Sequence, residues 1–434
     1  MADTFTSTDP ATRRERFAWC MYDFANSGYT TVILTAIFNA YFVGVVAAEQ
    51  GNGQATLLWT LTIAAANMLV LFSAPVVGAI ADYSNAKKRF LMITTVGCVG
   101  FTASMSMVGP GDIMLAVTLV ILATFMFASG ENLIAAFLPE ITTLETMGRL
   151  SGYGWALGYL GGLLSLILCL AYVTYAEKQG WDAAHYVPVT TLIVAVLFGL
   201  AALPTLLWLR ERKTNVASTF IAATAISAGF GRLRMTLHQA CVHTDLFRFL
   251  SSLTVYYAGI HIVIVLAAVY AQEVMEFTTR DTIVLIMVVN VTAAIGAFLF
   301  GHLQDRIGSK RSIALTLMIW SIAIICAYQA HEENLFWLAA NLIGIALGGA
   351  QSAGRALVGQ FTPAGRQGEF FGLWGLATKL AAIIGPLTYG GMVYVFEGDH
   401  RIALLSTLGF FIAGLVILMT VNEQRGQEMA KIDY

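Results

Sequence analysis

The feature that most constrains this chain is a series of twelve apolar runs, since a helix needs about 20 such residues to cross a bilayer. Polar, Gly- and Pro-containing stretches separate the runs. The predicted spans are residues 17–46, 56–81, 89–109, 113–137, 150–175, 186–209, 246–271, 280–303, 312–330, 335–358, 369–396 and 401–421. Only 12% of the residues are charged and 58% are hydrophobic, which is more apolar side chain than one soluble core of this size buries. The sequence therefore predicts an all-α integral membrane protein.

The basic residues indicate the orientation of these spans. Loops on one side hold 19 of the 24 Lys and Arg residues, the opposite loops hold Lys178, Arg280 and Arg401, and Arg355 and Lys379 fall within spans. Because short basic loops stay in the cytoplasm, both termini are predicted to be cytoplasmic. The polar and basic start of the chain shows no apolar segment with a cleavage site. We therefore expect a multi-pass protein of the plasma membrane, which in a bacterium is the inner membrane.

A long polar segment divides the spans into two sets of six. The predicted division is an N-terminal bundle at 1–209, a cytoplasmic linker at 210–245 and a C-terminal bundle at 246–434. Within the linker, Phe230, Leu233 and Leu237 recur at helical spacing. This pattern is typical either of an amphipathic helix on the membrane surface or of a solvated linker helix.

A loop motif after the second span recurs after the eighth and supports the division. The first copy is GAIADYSNAKKR and the second is GHLQDRIGSKR. Glycine lets two helices approach closely, and each Asp is expected either to close a salt bridge or to cap a helix N-terminus in the other half. A loop that only fixes the turn on the cytoplasmic face, with no role in switching, would show the same sequence pattern. Glu140 and Arg149, which follow the fourth span, are added to the motif residues as gate candidates. The candidate gate residues are Gly78, Asp82, Lys88, Arg89, Glu140, Arg149, Gly301, Asp305, Arg306 and Arg311.

Twelve spans, a long central loop and this doubled motif resemble the major facilitator superfamily. The resemblance implies two pseudo-symmetric six-helix bundles, a loop that latches the cytoplasmic gate, and a central cavity lined by the first, fourth, seventh and tenth spans. The segments WCMYDFANSGYTTVILTAIF, which starts at Trp19, and AFLPE, which starts at Ala136, are similar to the Atg22-like group, also called the unknown major facilitator family. Because that group includes fungal vacuolar proteins implicated in releasing amino acids, the resemblance implies an amino-acid substrate.

Ionisable side chains within spans mark the candidate transport site. A charge in a span costs about 2.5–3.5 kcal/mol on insertion scales, so it usually faces a cavity or a partner. With their polar and aromatic neighbours, the candidates for substrate binding or coupling are Tyr22, Asp23, Asn26, Glu131, Asn132, Tyr256, Tyr257, His261, Gln351 and Lys379.

Two roles compete for the acidic residues Asp23 and Glu131. Either could take up a proton and couple transport to a proton gradient, or could pair with Arg355 across the bundle interface and close the gate. Arg355 lies a few residues from the predicted cytoplasmic end of its span, which favours the gate for it. Asp23 is expected to act in the cavity because it falls within the signature, whereas for Glu131 both roles stay open. Lys379 could snorkel, meet Glu131 or bind a substrate carboxylate.

Several classes of protein are disfavoured by the sequence. It has no G-x-x-x-x-G-K-[ST] motif for ATP, no nucleophile–base pair that would indicate an enzyme, and five scattered cysteines that suggest no metal or cofactor. A net charge of −2 gives no reason to expect nucleic acid. The predicted function is a secondary transporter, working as a monomer in the lipid bilayer, that moves a small polar organic solute with protons as the candidate coupling ion. A sugar, peptide or iron-chelator transporter, or a non-transporting receptor or scaffold, remains an alternative.

Overall fold

The computed structural model describes residues 11–50, 52–212, 243–396 and 400–432, and within these ranges it has helices and no strands. Twelve helical segments are long and apolar enough to cross a membrane. They are α1 Arg13–Val46, α2 Asn52–Tyr83, α3 Lys87–Met107, α4 Ile113–Ile141, α5 Met147–Lys178, α6 Ala183–Trp208, α7 Thr244–Met275, α8 Thr279–Ile307, α9 Ser309–Gln329, α10 Glu333–Gln360, α11 Gln367–Val395 and α12 His400–Met419. A short helix, α13 Glu423–Ile432, follows.

The twelve predicted spans are therefore confirmed, with ends that agree to within about one helical turn. The two-bundle fold class is confirmed as well, with α1–α6 forming the N-terminal half and α7–α12 the C-terminal half. The domain boundaries at 209/210 and 245/246 stay predictions. The suggested amphipathic helix of the linker lies outside the described residues, which omit 213–242.

Each half has its own buried cluster of apolar side chains. Trp19, Tyr29 and Phe198 belong to the cluster of the N-terminal half, and Phe249 and Trp320 to that of the C-terminal half. Around them, many large apolar side chains lie on the outer surface, where Phe72, Leu207 and Leu387 are 72%, 68% and 71% exposed. Such an apolar surface is what lipid, rather than water, accommodates.

Helix α1 changes its geometry along its length. Residues Arg13–Gly28 are α-helical, and they begin with a capping box formed by Thr12 and Glu15. Tyr29–Ala36 and Phe42–Val46 have the wider turns of a π-helix. π-Turns are frequent at functional sites, and here they start shortly after the predicted signature residue Asp23.

The two halves meet through glycines at one end of the bundle. This basic end, as it is called below, carries Arg13, Lys87–Arg89, Arg149, Ser309–Arg311 and Arg366. There Gly78 of α2 touches Gly368 of α11, and Gly152 of α5 lies against Gly301 of α8. Since a Cβ at Gly78 would overlap the Gly368 carbonyl oxygen, the close approach depends on glycine.

Candidate transport site and gate

The first copy of the loop motif forms a buried latch between the halves. Asp82, at the end of α2, accepts hydrogen bonds from the backbone N–H groups of Gly368 and Glu369, each at 2.9 Å. These groups are the free donors at the N-terminus of α11, where a carboxylate is favoured by unsatisfied N–H groups and by the helix dipole. Lys87 lies 3.7 Å from the Asp82 carboxylate and forms an ion pair with Glu140. The latch thus joins α2, α3, α4 and α11.

The second copy forms the same latch with the halves exchanged. Asp305, near the end of α8, accepts from the backbone N–H of Gly148 at 2.9 Å, at the N-terminus of α5. The Arg149 side chain adds a 2.7 Å bond from its Nε. A Cβ at Gly301 would lie 2.9 Å from the carbonyl oxygen of Gly148. Of the two contacts expected for the motif Asp residues, both are present in both copies: each Asp caps a helix of the other half, and each forms a salt bridge, Asp82 with Lys87 and Asp305 with Arg149.

The other predicted gate residues lie outside the latches. Lys88 donates to the Leu209 carbonyl at 2.6 Å, which is a bond within its own half. Arg89, Arg306 and Arg311 are exposed and form no ion pair within the described ranges. Sequence reasoning chose Lys88 and Arg89 from the basic run, whereas the structure buries Lys87. The second copy has Ser309 at this place, so the repeat alone gave no signal for Lys87.

A buried ion pair crosses the halves deeper in the bundle. Asp23 of α1 lies 2.7 Å from Arg355 of α10, and the two residues are 7% and 2% exposed. The guanidinium also donates to the Ser151 hydroxyl at 3.2 Å and to its carbonyl at 3.0 Å. The rings of Trp19 and Trp155 lie 4.6 Å and 5.3 Å from it, within the range of cation–π attraction. The pair therefore holds α1, α5 and α10 together.

A second, more accessible pair joins α4 to α11. Glu131 and Lys379 approach to 4.0 Å, and their side chains are 27% and 17% exposed. Asn132, on the next position of α4, packs so closely on Gly375 of α11 that a Cβ there would overlap its carboxamide. These two helices thus bring one carboxylate and one ammonium to a partly open space.

The remaining candidates lie on α5, α7 and α10, where Tyr256 and Tyr257 belong to the buried cluster of the C-terminal half. Tyr159 of α5 donates a hydrogen bond to the Gln351 carboxamide of α10. Tyr257 of α7 packs edge-on against His261 at 6.2 Å and against Tyr256 at 5.2 Å, measured between ring centroids. Hydrogen bonds and ion pairs between the halves extend from the Asp82 and Asp305 latches at the basic end to the Tyr159–Gln351 bond. The halves are therefore closed together at the basic end.

Two candidates belong to the core of the N-terminal half instead. Tyr22 is 1% exposed and its hydroxyl pairs with that of Thr95 at 3.1 Å. Asn26 is also buried, at 6% exposure.

Ser151 was missed by sequence reasoning, because a serine in a glycine-rich helix carries no distinguishing signal. Within the described ranges, no group of three or more His, Cys, Asp or Glu side chains could hold a metal ion.

Two pseudo-symmetric six-helix halves, latched to each other at one end by a repeated loop motif, define a transporter of the major facilitator class. The family model described as "Vacuole effluxer Atg22 like" matches residues 45–431. The chain belongs to this family.

Individual relatives agree with this assignment. The chain is 27% identical over 429 residues to the "Uncharacterized MFS-type transporter YxiO" of Bacillus subtilis, covering 96% of this chain and 97% of the relative. It is 24% identical over 338 residues to "Autophagy-related protein 22" of Yarrowia lipolytica, with coverage of 70% of this chain and 56% of the relative. The chain thus matches about half the length of that fungal protein. Among solved structures, the human organic anion transporter MFSD10 superposes with a TM-score of 0.75 at 13% identity, over 94% of this chain and 100% of that one, which shows the shared fold.

Proposed function

We propose that this protein is a secondary active transporter that moves a small polar organic solute by alternating access, coupled to protons and without enzymatic activity. The Asp23–Arg355 pair, which bridges the halves at a buried position, carries the proposal. Removing one partner of a buried pair costs about 3–5 kcal/mol because the other charge is left unpaired. Since the halves must separate here if the basic end is to open, a proton or a substrate has to compensate these charges. Opening of the basic end therefore requires that a proton or a substrate binds at this pair.

The two carboxylates take different roles in this cycle. Asp23 is held by Arg355 in a buried site and acts as the inner gate. Glu131 is more exposed than Asp23 and lies 4.0 Å from Lys379. The two residues of this pair are on α4 and α11, which belong to different halves. When α4 and α11 separate, Glu131 loses its ammonium partner, and protonation removes the uncompensated charge. Glu131 is therefore the proposed coupling carboxylate.

The orientation follows from the basic end. Because basic loops remain in the cytoplasm, this end is the cytoplasmic one and both termini lie there. The proposal places the protein in the plasma membrane as a monomer. The Asp82 and Asp305 latches then close the cytoplasmic side.

Amino acids are the proposed substrate class. Glu131 and Lys379 offer an acceptor and a donor of opposite charge a short distance apart. A zwitterion can satisfy both through charge-assisted hydrogen bonds. The family description names an effluxer and no substrate. Sugars, peptides and iron chelators are the competing classes, and a non-transporting receptor is the competing function.

Reconstituted protein tests the proposal directly. We expect Glu131→Gln to abolish uptake driven by a pH gradient while retaining exchange of labelled amino acid across vesicles without a gradient. Asp245→Asn serves as the matched control, because Asp245 pairs with Arg425 at the basic end, away from the central site, and should retain both activities.

Three results would overturn parts of the proposal. Gradient-driven uptake by Glu131→Gln at the wild-type rate would remove Glu131 as the coupling group. A thermal-shift response confined to sugars or chelators would remove amino acids, since a ligand of the folded state raises its apparent stability. Absence of flux for every ligand that binds would favour a receptor.

A further inference from the structure

Each half closes its basic end with the same structural element. In the N-terminal half, the Glu211 carboxylate accepts from the backbone N–H groups of Lys87 at 2.7 Å and Lys88 at 3.2 Å. Lys88 in turn donates to the carbonyl of Leu209 at the end of α6. The carboxylate caps α3 and the lysine caps α6, so the third and sixth helices of the half are joined.

The C-terminal half repeats these bonds. Glu423 accepts from the N–H groups of Ser309 at 2.8 Å and Lys310 at 3.1 Å. Lys310 donates to the carbonyls of Met419 at 2.9 Å and Val421 at 2.7 Å. Glu211 therefore corresponds to Glu423 and Lys88 to Lys310. Counting back three residues from each glutamate, Trp208 corresponds to Thr420.

The position of Trp208 and Thr420 holds side chains of very different size in the two halves. In the N-terminal half, the Arg14 guanidinium covers the Trp208 ring at 3.9 Å. In the C-terminal half, the small Thr420 stands at the corresponding place. A groove of about 960 Å³ lies there, and its lining includes Arg248, Lys310, Arg311, Ala314, Met419 and Thr420.

The groove has excess positive charge. Of its four basic residues, Arg425 is neutralised by Asp245, which it binds at 2.5 Å and 2.9 Å. Arg248 and Lys310 donate to backbone carbonyls, and Arg311 forms no hydrogen bond or ion pair with the described residues. Glu423 is the acidic lining residue. Three cations against one carboxylate leave a net charge of +2.

The groove is also continuous with the membrane-facing surface. Met419 is the last residue of α12 and is 62% exposed. Ala314 lies on the second turn of α9, so the groove extends from the basic loop toward the lipid. A ligand that fits this place has an anionic group at one end and apolar chains at the other.

We infer that this groove binds the phosphate headgroup of an anionic phospholipid. Arg248 and Arg311 hold the phosphate, and the acyl chains run along Met419. Basic pockets at the membrane surface are suited to such headgroups. A free phosphate would use the cations but not the apolar side. At the matching place of the N-terminal half, the Trp208 ring is covered by the Arg14 guanidinium.

The test uses purified full-length protein in neutral detergent, titrated with phosphatidylglycerol or with phosphatidylcholine and followed by thermal unfolding. Phosphatidylglycerol is expected to raise the midpoint of the wild type, and Arg248→Gln/Arg311→Gln to weaken its apparent affinity at least tenfold. Arg89→Gln is the matched control, since Arg89 corresponds to Arg311 in the half where Trp208 and Arg14 occupy the place of Thr420. It should respond like the wild type.

Filling the groove gives an independent variant. Thr420→Trp should match the wild-type midpoint in phosphatidylcholine and lose the response to phosphatidylglycerol. An unchanged response in both variants would overturn the site. Inorganic phosphate or glycerol 3-phosphate reproducing the full shift would show a free-anion site and overturn the assignment to lipid. Equal loss in Arg89→Gln would show a general effect of surface charge and would also overturn it.

Discussion

At the scale of single residues, the choice of ionic partners decides how the central site works. The sequence placed Asp23, Glu131, Arg355 and Lys379 within spans, because charges in an apolar run are conspicuous. It could not assign the pairs, since Asp23 and Glu131 lie at similar depth and the pairing depends on how α1, α4, α10 and α11 are rotated about their axes. The structure pairs Asp23 with Arg355 and Glu131 with Lys379.

Removing Arg355 is expected to be strongly destabilising. Arg355→Ala leaves Asp23 buried without its cation, which costs about 3–5 kcal/mol, so the thermal unfolding midpoint of the detergent-purified protein should fall steeply. Asp23→Asn combined with Arg355→Met should recover most of the loss, because it removes both charges.

Arg149→Ala is the control for that comparison. Its side chain is 44% exposed, and Asp305 keeps its backbone partner Gly148. Because the arginine of this pair is exposed to solvent and the Asp305 carboxylate keeps its backbone N–H partner, we expect a smaller shift than for Arg355→Ala. If the two arginine variants were equally stable, the Asp23–Arg355 pair would not be the strong link between the halves.

At the scale of helices, the apolar pattern predicted the elements well and their contacts only in part. Span ends agreed to within about a turn because polar, Gly- and Pro-containing stretches separate the runs. The π-turns of α1 were not predicted, since a prediction from hydrophobic periodicity assumes 3.6 residues per turn. The motif repeats in both halves, and this allowed a contact between the halves to be predicted for each Asp. The capping of α5 by Asp305 and of α11 by Asp82 was one of the two contacts expected.

Closure of the basic end depends on the small size of Gly78. In Gly78→Val the added side chain would meet the Gly368 carbonyl, so the basic end should open. Spin labels at Arg89 and Arg306, which are exposed and belong to different halves, report the change as a longer distance in a background without native cysteines.

Gly100→Val tests whether any added bulk has this effect. A Cβ at Gly100 meets no atom within 4 Å, so the label distance should equal that of the parent protein. The same distance in Gly78→Val and in the parent would contradict a latch that relies on close approach at Gly78.

At the scale of the whole molecule, two halves hold one end closed through repeated latches. Asp82 and Asp305 each cap a helix of the other half, and the two charge pairs cross between the halves deeper in the bundle. Sequence patterns revealed this plan because the motif is duplicated. The solute was left open, since substrate recognition depends on side-chain placement in the cavity rather than on periodicity.

The most direct measurement of alternating access follows both ends of the bundle in the same preparation. One label pair is Arg89 with Arg306 at the basic end, and the other is Lys178 with Glu332, which are exposed at the opposite end. Both distances are recorded by pulsed electron paramagnetic resonance while pH and candidate solutes are varied. We expect the basic-end distance to lengthen as the opposite-end distance shortens. Two distances that stay fixed under every condition, or that lengthen together, would contradict alternating access.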